Sequence, residues 1–249
     1  MPALLDRAEQ ARSFDRAAEE YERTRPDYPD AVLDVLPLGP GATVVDVGAG
    51  TGKLTRVLAR RYARVIAVEP LDRMRAILER VVPKAESHAG SAERLPLPDA
   101  SVDGVFVAQA FHWFANDEAV AEFARVLRPG GVLAVVWNEG DDARADPRPE
   151  AFRASLDELH APTLAAVRAD PAFEDLIARG PFGVVAKAVL PHDHVLDRTG
   201  MLDNVRSMSW IASKSPADQE VVLERLGKLL PEGTYAIPNV ANVLWAVRR

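Results

Sequence analysis

Residues 42–139 alternate short apolar runs with amphipathic segments, and this alternation limits the chain to few architectures. The runs ATVVDVGA, RVIAVEP, AESHAG, VDGVFVAQA and VLAVVWNE have the length of strands, with AESHAG the weakest. Helical segments separate them, namely GKLTRVLARRYA, LDRMRAILERVV and NDEAVAEFARVL. Strands that alternate with helices predict an α/β fold, in which a parallel sheet is covered by helices on both faces.

The segments on either side of this core are mainly helical. Phe14, Ala17, Ala18 and Tyr21 form a one-sided apolar stripe, which predicts a helix over 6–24 that the prolines of RPDYP terminate. Further elements are expected as a short helix at 30–36, helices across 151–180 broken at Pro162 and Pro171, a strand at 183–196, helices at 199–213 and 216–230, and a last strand at 239–248.

We predict a single domain over residues 1–249, because no internal repeat or low-complexity linker divides the chain. Its expected parts are an N-terminal helical arm at 1–36, a ligand-binding core at 41–139, a helical insertion with the sixth strand and recognition helices at 140–234, and the last strand at 235–249.

Composition narrows the class of function. Lys and Arg number 30 against 37 Asp and Glu, a net charge of −7, which argues against nucleic acid as a partner. The chain contains no cysteine, so disulfides, thiolate metal sites and thiol nucleophiles are excluded. No apolar run approaches the ~20 residues of a membrane span, and the N-terminus lacks an apolar signal region. We therefore expect a cytoplasmic protein with no membrane partner.

The stretch VVDVGAGTGKLT places an acid, Asp46, before three glycines at alternate positions, Gly48, Gly50 and Gly52. Such a turn between strand and helix suits a nucleotide-like ligand, because glycine allows close approach and the helix start offers N–H groups. A phosphate-binding P-loop is disfavoured, since it requires glycine at position 47 and Ser or Thr at position 54. A dinucleotide-binding G-x-G-x-x-G pattern also fails, whether it starts at Gly48 or at Gly50.

An acid two residues before G-x-G-x-G resembles motif I of the class I S-adenosylmethionine-dependent methyltransferases. The stretches GSAERLPLPDASVDGVFVAQAFHWF, RVLRPGGVL and FDRAAEEYERTRPDYP resemble the small-molecule branch, which includes quinone-biosynthesis and trans-aconitate methyltransferases. The resemblance covers residues 13–138. It implies a Rossmann-like, doubly wound, seven-stranded and mostly parallel sheet with the last strand antiparallel.

The resemblance also implies S-adenosyl-L-methionine as the cofactor. Asp46 would hold its ammonium directly or through water, and the backbone of Gly48–Gly52 its carboxylate. Glu69 lies 21 residues after Gly48 and would accept hydrogen bonds from the ribose hydroxyls, although this spacing alone also fits a nicotinamide dinucleotide. The implied cofactor residues at the turn and at the end of the second strand are Asp46, Gly48, Ala49, Gly50, Thr51, Gly52 and Glu69. Pro70 and Met74 would flank the adenine, and Ser91, Ala92 and Glu93 would border its amino group. The methionine end would be lined by Ala108, Gln109 and Phe111, and the arm would contribute Tyr21 and Arg25.

His112 is the candidate general base, because it follows the fourth strand and an imidazole accepts a proton near neutral pH. Phe111, Trp113, Phe114 and Trp137 are candidates for an apolar acceptor pocket. His192, Asp193 and His194 carry ligand types that bind divalent metals, but no further ligand accompanies them and we expect no metal.

We predict a methyltransferase whose acceptor is a small molecule, acidic or aromatic. A nicotinamide-dependent oxidoreductase is disfavoured by Lys53 and by the lack of a hydride-transfer pair. A non-catalytic S-adenosylmethionine-binding protein and a methyltransferase of macromolecules remain as alternatives. The sequence identifies neither the acceptor nor the oligomeric state.

Overall fold

The protein is described by a computed structural model that covers residues 18–160 and 172–249. Contacts divide the chain into two compact units. The first unit comprises Met1–Pro26, Gly140–Arg168 and Asp193–Asn239, and the second comprises Asp27–Glu139, Ala169–His192 and Val240–Arg249. The helix expected over 6–24 is described only from Ala18, and Phe14 and Ala17 lie outside the described residues.

The helices and strands follow the expected order along the chain. The helices are α1 (Ala18–Thr24), α2 (Ala31–Asp34), α3 (Thr55–Arg61), α4 (Asp72–Val81), α5 (Asp117–Val126), α6 (Glu150–His160), α7 (Ala172–Arg179), α8 (Arg198–Arg206), α9 (Ser209–Ala212) and α10 (Pro216–Leu229). The strands are β1 (Thr43–Val47), β2 (Arg64–Val68), β3 (Glu86–His88), β4 (Val102–Ala108), β5 (Leu127–Gly140), β6 (Ala186–Asp197) and β7 (Thr234–Val247).

The strands form a seven-stranded sheet in the order β3-β2-β1-β4-β5-β7-β6. The strand pairs β1–β2, β1–β4, β2–β3 and β4–β5 are parallel, and the sheet contains an antiparallel pairing at its other side. The prediction of a Rossmann-like, mostly parallel sheet is confirmed. β1 and β4 are neighbours although β2 and β3 lie between them in sequence, so the strand order reverses at this point.

Several predicted boundaries were wrong. α3 begins at Thr55 and not at Gly52, because Gly52 has φ +92° and cannot occupy a helical position. The RPGG segment is part of β5, where the register with β4 shifts and Gly130 has φ +80°. The single helix expected over 199–213 is two helices, α8 and α9.

The second unit buries apolar side chains on both faces of the sheet. One face packs α5 and α7 through Val105, Phe123 and Ile177, and the other packs α2 and α3 through Val32 and Leu58. The side chain of Asn116 accepts a hydrogen bond from the Ala119 amide and so starts α5 at a defined residue. Two apolar faces explain why the strands are continuously apolar and do not alternate.

The first unit is mainly helical. Phe152, Met201, Val205 and Leu226 form its core, which joins α6, α8 and α10. α1 is tied to α8 by an ion pair of 2.9 Å between Arg23 and Asp203. Within residues 18–160 and 172–249, no helix is long and apolar enough to cross a membrane.

We expect Phe123→Ala to lower the free energy of unfolding by about 3–5 kcal/mol, because a fully buried ring would leave a cavity. Val221→Ala, at a position in α10 that is 68% exposed, is the control and should change it by less than about 0.5 kcal/mol. Urea denaturation measures both, and similar losses in the two variants would contradict the assigned core.

Candidate functional site

The glycine stretch forms the turn between β1 and α3, at the carboxyl end of a central strand. β1 lies next to β4, where the strand order reverses, and ligands of open α/β sheets bind beyond the strand ends at such points. The amides of Gly48 and Ala49 both donate to the carbonyl of Val68, at 2.9 and 3.2 Å, which fixes the turn to the end of β2.

The three glycines of this turn have left-handed backbone conformations, with φ +66° at Gly48, +57° at Gly50 and +92° at Gly52. A Cβ atom at Gly48 would lie 2.8 Å from the Cβ of Ala110. At Gly50, by contrast, such an atom would meet none of the described residues within 4 Å. Gly50 therefore exposes bare backbone to open space, as close approach of a ligand requires.

Asp46 is the acid buried beneath this turn. It is 0% exposed, and its Oδ2 accepts a hydrogen bond of 2.7 Å from the Thr55 hydroxyl. Its Oδ1 is buried and has no hydrogen-bond partner among the described residues. Burial raises the pKa of Asp46 to about 7, the bond from Thr55 opposes this shift, and the charge of Glu69 adds to it.

Glu69 follows β2 and is also buried. Its Oε2 accepts from the Gly50 amide at 2.8 Å, and its Oε1 accepts from the Leu71 amide at 2.9 Å. Glu69 therefore holds the turn that carries Gly50. A carboxylate offers about four acceptor positions, so a single carboxylate can accept more than two hydrogen bonds.

Lys53 ends the glycine stretch and is 7% exposed. Its ammonium lies 3.1 Å from Asp27 Oδ1, and Arg56 contacts the same oxygen at 3.5 Å. The positive charge within the turn is therefore paired with Asp27. Asp27 and Thr55 were not among the predicted site residues, although they lie within RPDYP and VVDVGAGTGKLT.

The residues expected near the adenine lie after β2 and β3. Pro70 is exposed, and Met74 is buried in α4. Ala92 is buried, whereas Ser91 is exposed, and Glu93 accepts a hydrogen bond of 3.2 Å from the side chain of Asn116. Thr51, the remaining residue of the glycine turn, is buried, and its hydroxyl has no partner among the described residues.

The residues expected at the methionine end follow β4. Gln109 has φ +53°, which is uncommon for a residue other than glycine, and its side chain donates to the Asn138 carbonyl at 2.9 Å. Ala108, just before it, is half-buried. Strained backbone conformations cluster at ligand sites, and Gln109 has such a conformation at the end of β4.

The aromatic segment after Gln109 is a short 3₁₀ helix, Phe111–Trp113. Phe111 is buried and packs against Phe173 with ring centroids 4.8 Å apart, so its side chain belongs to the core. His112 is exposed, and its ring centroid lies 4.9 Å from that of Trp113. The structure therefore leaves His112 accessible while Phe111 stabilises the turn beneath it.

Tyr21 and Arg25 belong to the first unit. The guanidinium of Arg25 lies 5.6 Å from the centroid of the Tyr21 ring, and its Nη2 donates to the Ser207 carbonyl at 3.0 Å. Its Nε is buried and has no partner among the residues described. Burial lowers the pKa of Arg25, and Tyr21 acts against this shift.

The three residues considered as metal ligands have separate partners. His192 Nε2 lies 3.0 Å from Asn138 Oδ1, His194 Nε2 lies 2.7 Å from the Thr24 carbonyl, and Asp193 pairs with Arg144 at 2.7 Å. In the part of the chain that the structure describes, no group of three or more His, Cys, Asp or Glu side chains could hold a metal ion.

Comparisons with known proteins agree with this geometry. A family model described as a methyltransferase domain matches residues 45–135. A Mycobacterium tuberculosis protein named as an uncharacterized methyltransferase is 36% identical over 224 residues, covering 90% of this chain and 88% of the relative. A Schizosaccharomyces pombe methyltransferase-like protein is 42% identical over 136 residues, which cover 53% of each chain.

A solved structure from Anaeromyxobacter dehalogenans, assigned as a type II methyltransferase, is 26% identical with a TM-score of 0.60, covering 90% of this chain and 96% of that one. The fold, and the glycine turn with its buried acids at the point where the strand order reverses, agree with these comparisons. The chain belongs to the class I S-adenosylmethionine-dependent methyltransferases.

Alanine substitutions at two glycines test the geometry of the turn. Gly50→Ala should lower the free energy of unfolding by about 1–2 kcal/mol, the cost of a left-handed backbone with a side chain. Gly48→Ala should cost about 1–3 kcal/mol more, because its methyl group would also overlap Ala110. Urea denaturation compares the two variants, and equal losses would show that Ala110 does not restrict Gly48.

Proposed function

We propose that this methyltransferase holds S-adenosylmethionine at the glycine turn and transfers its methyl group to a small acidic or aromatic acceptor. The observation that carries the proposal is the buried Oδ1 of Asp46, which has no partner among the described residues and lies beneath a turn of left-handed glycines. An unsatisfied buried carboxylate oxygen destabilises a protein, and a cationic ligand such as an ammonium would satisfy it.

The residues present fit the donor molecule. Asp46 would accept the ammonium, the bare backbone at Gly50 would allow the amino-acid end to approach, and Glu69 would accept from the ribose hydroxyls. Pro70 and Met74 would flank the adenine, with Ser91, Ala92 and Glu93 at its amino group. Ala108 and Gln109 would border the methionine end. We retain Tyr21 and Arg25 as candidate contacts from the arm.

S-adenosylmethionine supplies a methyl group that its sulfonium already activates. The protein has to align the acceptor with this carbon and exclude water. A general base is required only when the acceptor atom carries a proton at neutral pH, and the exposed imidazole of His112 is the candidate in that case. A carboxylate acceptor would require no base.

Arg25 supports an acidic acceptor. Its guanidinium has one donor committed to the Ser207 carbonyl and a buried Nε that is unpaired among the described residues. A guanidinium binds a carboxylate through two parallel hydrogen bonds, so it recognises such a group in one orientation. The aromatic alternative is supported by the half-buried Trp113, Phe114 and Trp137.

Titration calorimetry with S-adenosylhomocysteine tests the assignment of the donor site. We expect this product to bind and NAD not to bind. Glu69→Gln should weaken the binding of the product by about 1–3 kcal/mol, because hydrogen bonds are lost. Glu86→Gln in β3, an exposed acid paired with Arg64 at 2.7 Å, is the matched control and should bind normally. Unchanged affinity in Glu69→Gln would remove Glu69 from the site.

Transfer of labelled methyl groups to fractionated metabolites tests the acceptor class. We expect label in a small acidic or aromatic product, and Arg25→Lys should lower kcat/KM about 10-fold or more for an acidic acceptor, because an ammonium lacks the forked donor. Arg94→Lys, at an exposed position, is the control. Label confined to protein or nucleic acid would contradict a small-molecule acceptor.

A further inference from the structure

The environment of Asp46 is unusual for an ionised carboxylate. Its register partners on the neighbouring strands are Ala67 in β2 and Phe106 in β4, both apolar and buried. One oxygen is bonded to Thr55, and the other has no partner in the described part of the chain. A negative charge in such a place costs several kcal/mol unless a cation or proton compensates it.

The charged groups around this carboxylate do not compensate it. Glu69, from the end of β2, carries a charge of the same sign and acts on Asp46. Lys53 is the cation within the turn, but its ammonium is paired with Asp27 at 3.1 Å. From α3, Thr55 supplies a neutral hydroxyl and a backbone N–H group, and both favour the ionised form. Within the described residues, therefore, Asp46 has neutral donors and a nearby acid, but no cation of its own.

We infer that Asp46 carries a proton when the site is empty and releases it when the cationic end of the donor binds, and that the Thr55 hydroxyl positions the carboxylate for this exchange. The inference rests on the proposed function. In the exchange, the O–H bond of the Asp46 carboxyl group breaks, the proton passes to the solvent buffer, and the ligand's ammonium takes its place beside the carboxylate. The ionised carboxylate and the ammonium together carry the same net charge as the protonated carboxyl group that they replace.

Thr55 is a positioning residue in this scheme, because it acts through Asp46. It is the first residue of α3, and its bond to Asp46 Oδ2 joins the end of β1 to the start of that helix across the whole glycine turn. The hydroxyl occupies Oδ2, so Oδ1 is the oxygen that has no partner among the described residues. The same bond favours the ionised form, so it sets how readily the proton leaves.

The pH dependence follows from the raised pKa of Asp46, about 7 in the folded protein against 3.8 for a free side chain. Between these values the folded state binds more protons than the unfolded state, so the stability of the ligand-free protein falls as pH rises through about 7. Ligand affinity changes in the opposite direction, because the ammonium competes with the proton. It should increase about tenfold from pH 6 to pH 8.

Calorimetry of S-adenosylhomocysteine binding in phosphate and in imidazole buffer counts the released protons, because the two buffers differ in ionisation enthalpy. We expect the release of roughly 0.9 proton per bound ligand at pH 6 and of roughly 0.1 proton at pH 8. 5′-Methylthioadenosine, which lacks the amino-acid end, should release none. Equal heats in the two buffers at every pH would overturn the inference.

Variants identify the group that releases the proton. Asp46→Asn should bind without proton release and should flatten the pH dependence of ligand-free stability. Thr55→Val should move the midpoint of the affinity profile to higher pH, because the ionised carboxylate loses a donor, and Thr55→Ser should restore it. Thr43→Val, the same change at the opposite end of β1, is the control and should leave the profile unchanged.

The outcomes separate this inference from the proposed function. S-adenosylhomocysteine that fails to bind at any pH would contradict the proposed donor site. Binding that is independent of pH and of buffer would leave the donor site standing and overturn the proton exchange. A profile that is unchanged in Thr55→Val would remove Thr55 from the mechanism, and proton release that persists in Asp46→Asn would assign it to another group.

Discussion

The hydrogen bond between Thr55 and Asp46 closes the segment on which the candidate site depends. It links the end of a central strand to the first residue of a helix, and residues 47–54 must span the gap between them. That span is accommodated by three residues with left-handed backbone conformations, which only glycine adopts without strain. The amides of Gly48 and Ala49 are then free to reach Val68 and anchor the turn to β2.

Charge is distributed around this turn in a way that favours a cationic ligand. Asp46 and Glu69 are both buried, whereas Lys53 is directed to Asp27. Pairing of Lys53 with Asp46 would have neutralised the acid and removed its attraction for an ammonium. Asp27 therefore contributes to the site without belonging to it. It is also the first residue of the second unit, and its carbonyl accepts a hydrogen bond of 3.3 Å from Asn138.

Much of the second unit could be predicted because its strands and helices obey simple periodicities. The errors arose where local chemistry conflicts with those periodicities. Gly52 continues an apolar helical pattern but has a left-handed backbone, so α3 starts three residues later. Arg128–Gly131 resembles a turn, yet β5 passes through it with a register shift beside β4. The first deviation lies in the backbone of the turn itself, and the second depends on the neighbouring strand β4.

The sequence by itself determined the order of elements and the spacing of Asp46, the glycines and Glu69, because these depend on residues close in the chain. It also indicated the family, since several motifs occur in order. Only the tertiary structure decided which oxygen of Asp46 has no partner among the described residues, which acid pairs with Lys53 and how far the pKa of Asp46 rises. These properties depend on desolvation and on partners from other segments, such as Asp27 and Phe106, and no local pattern records them.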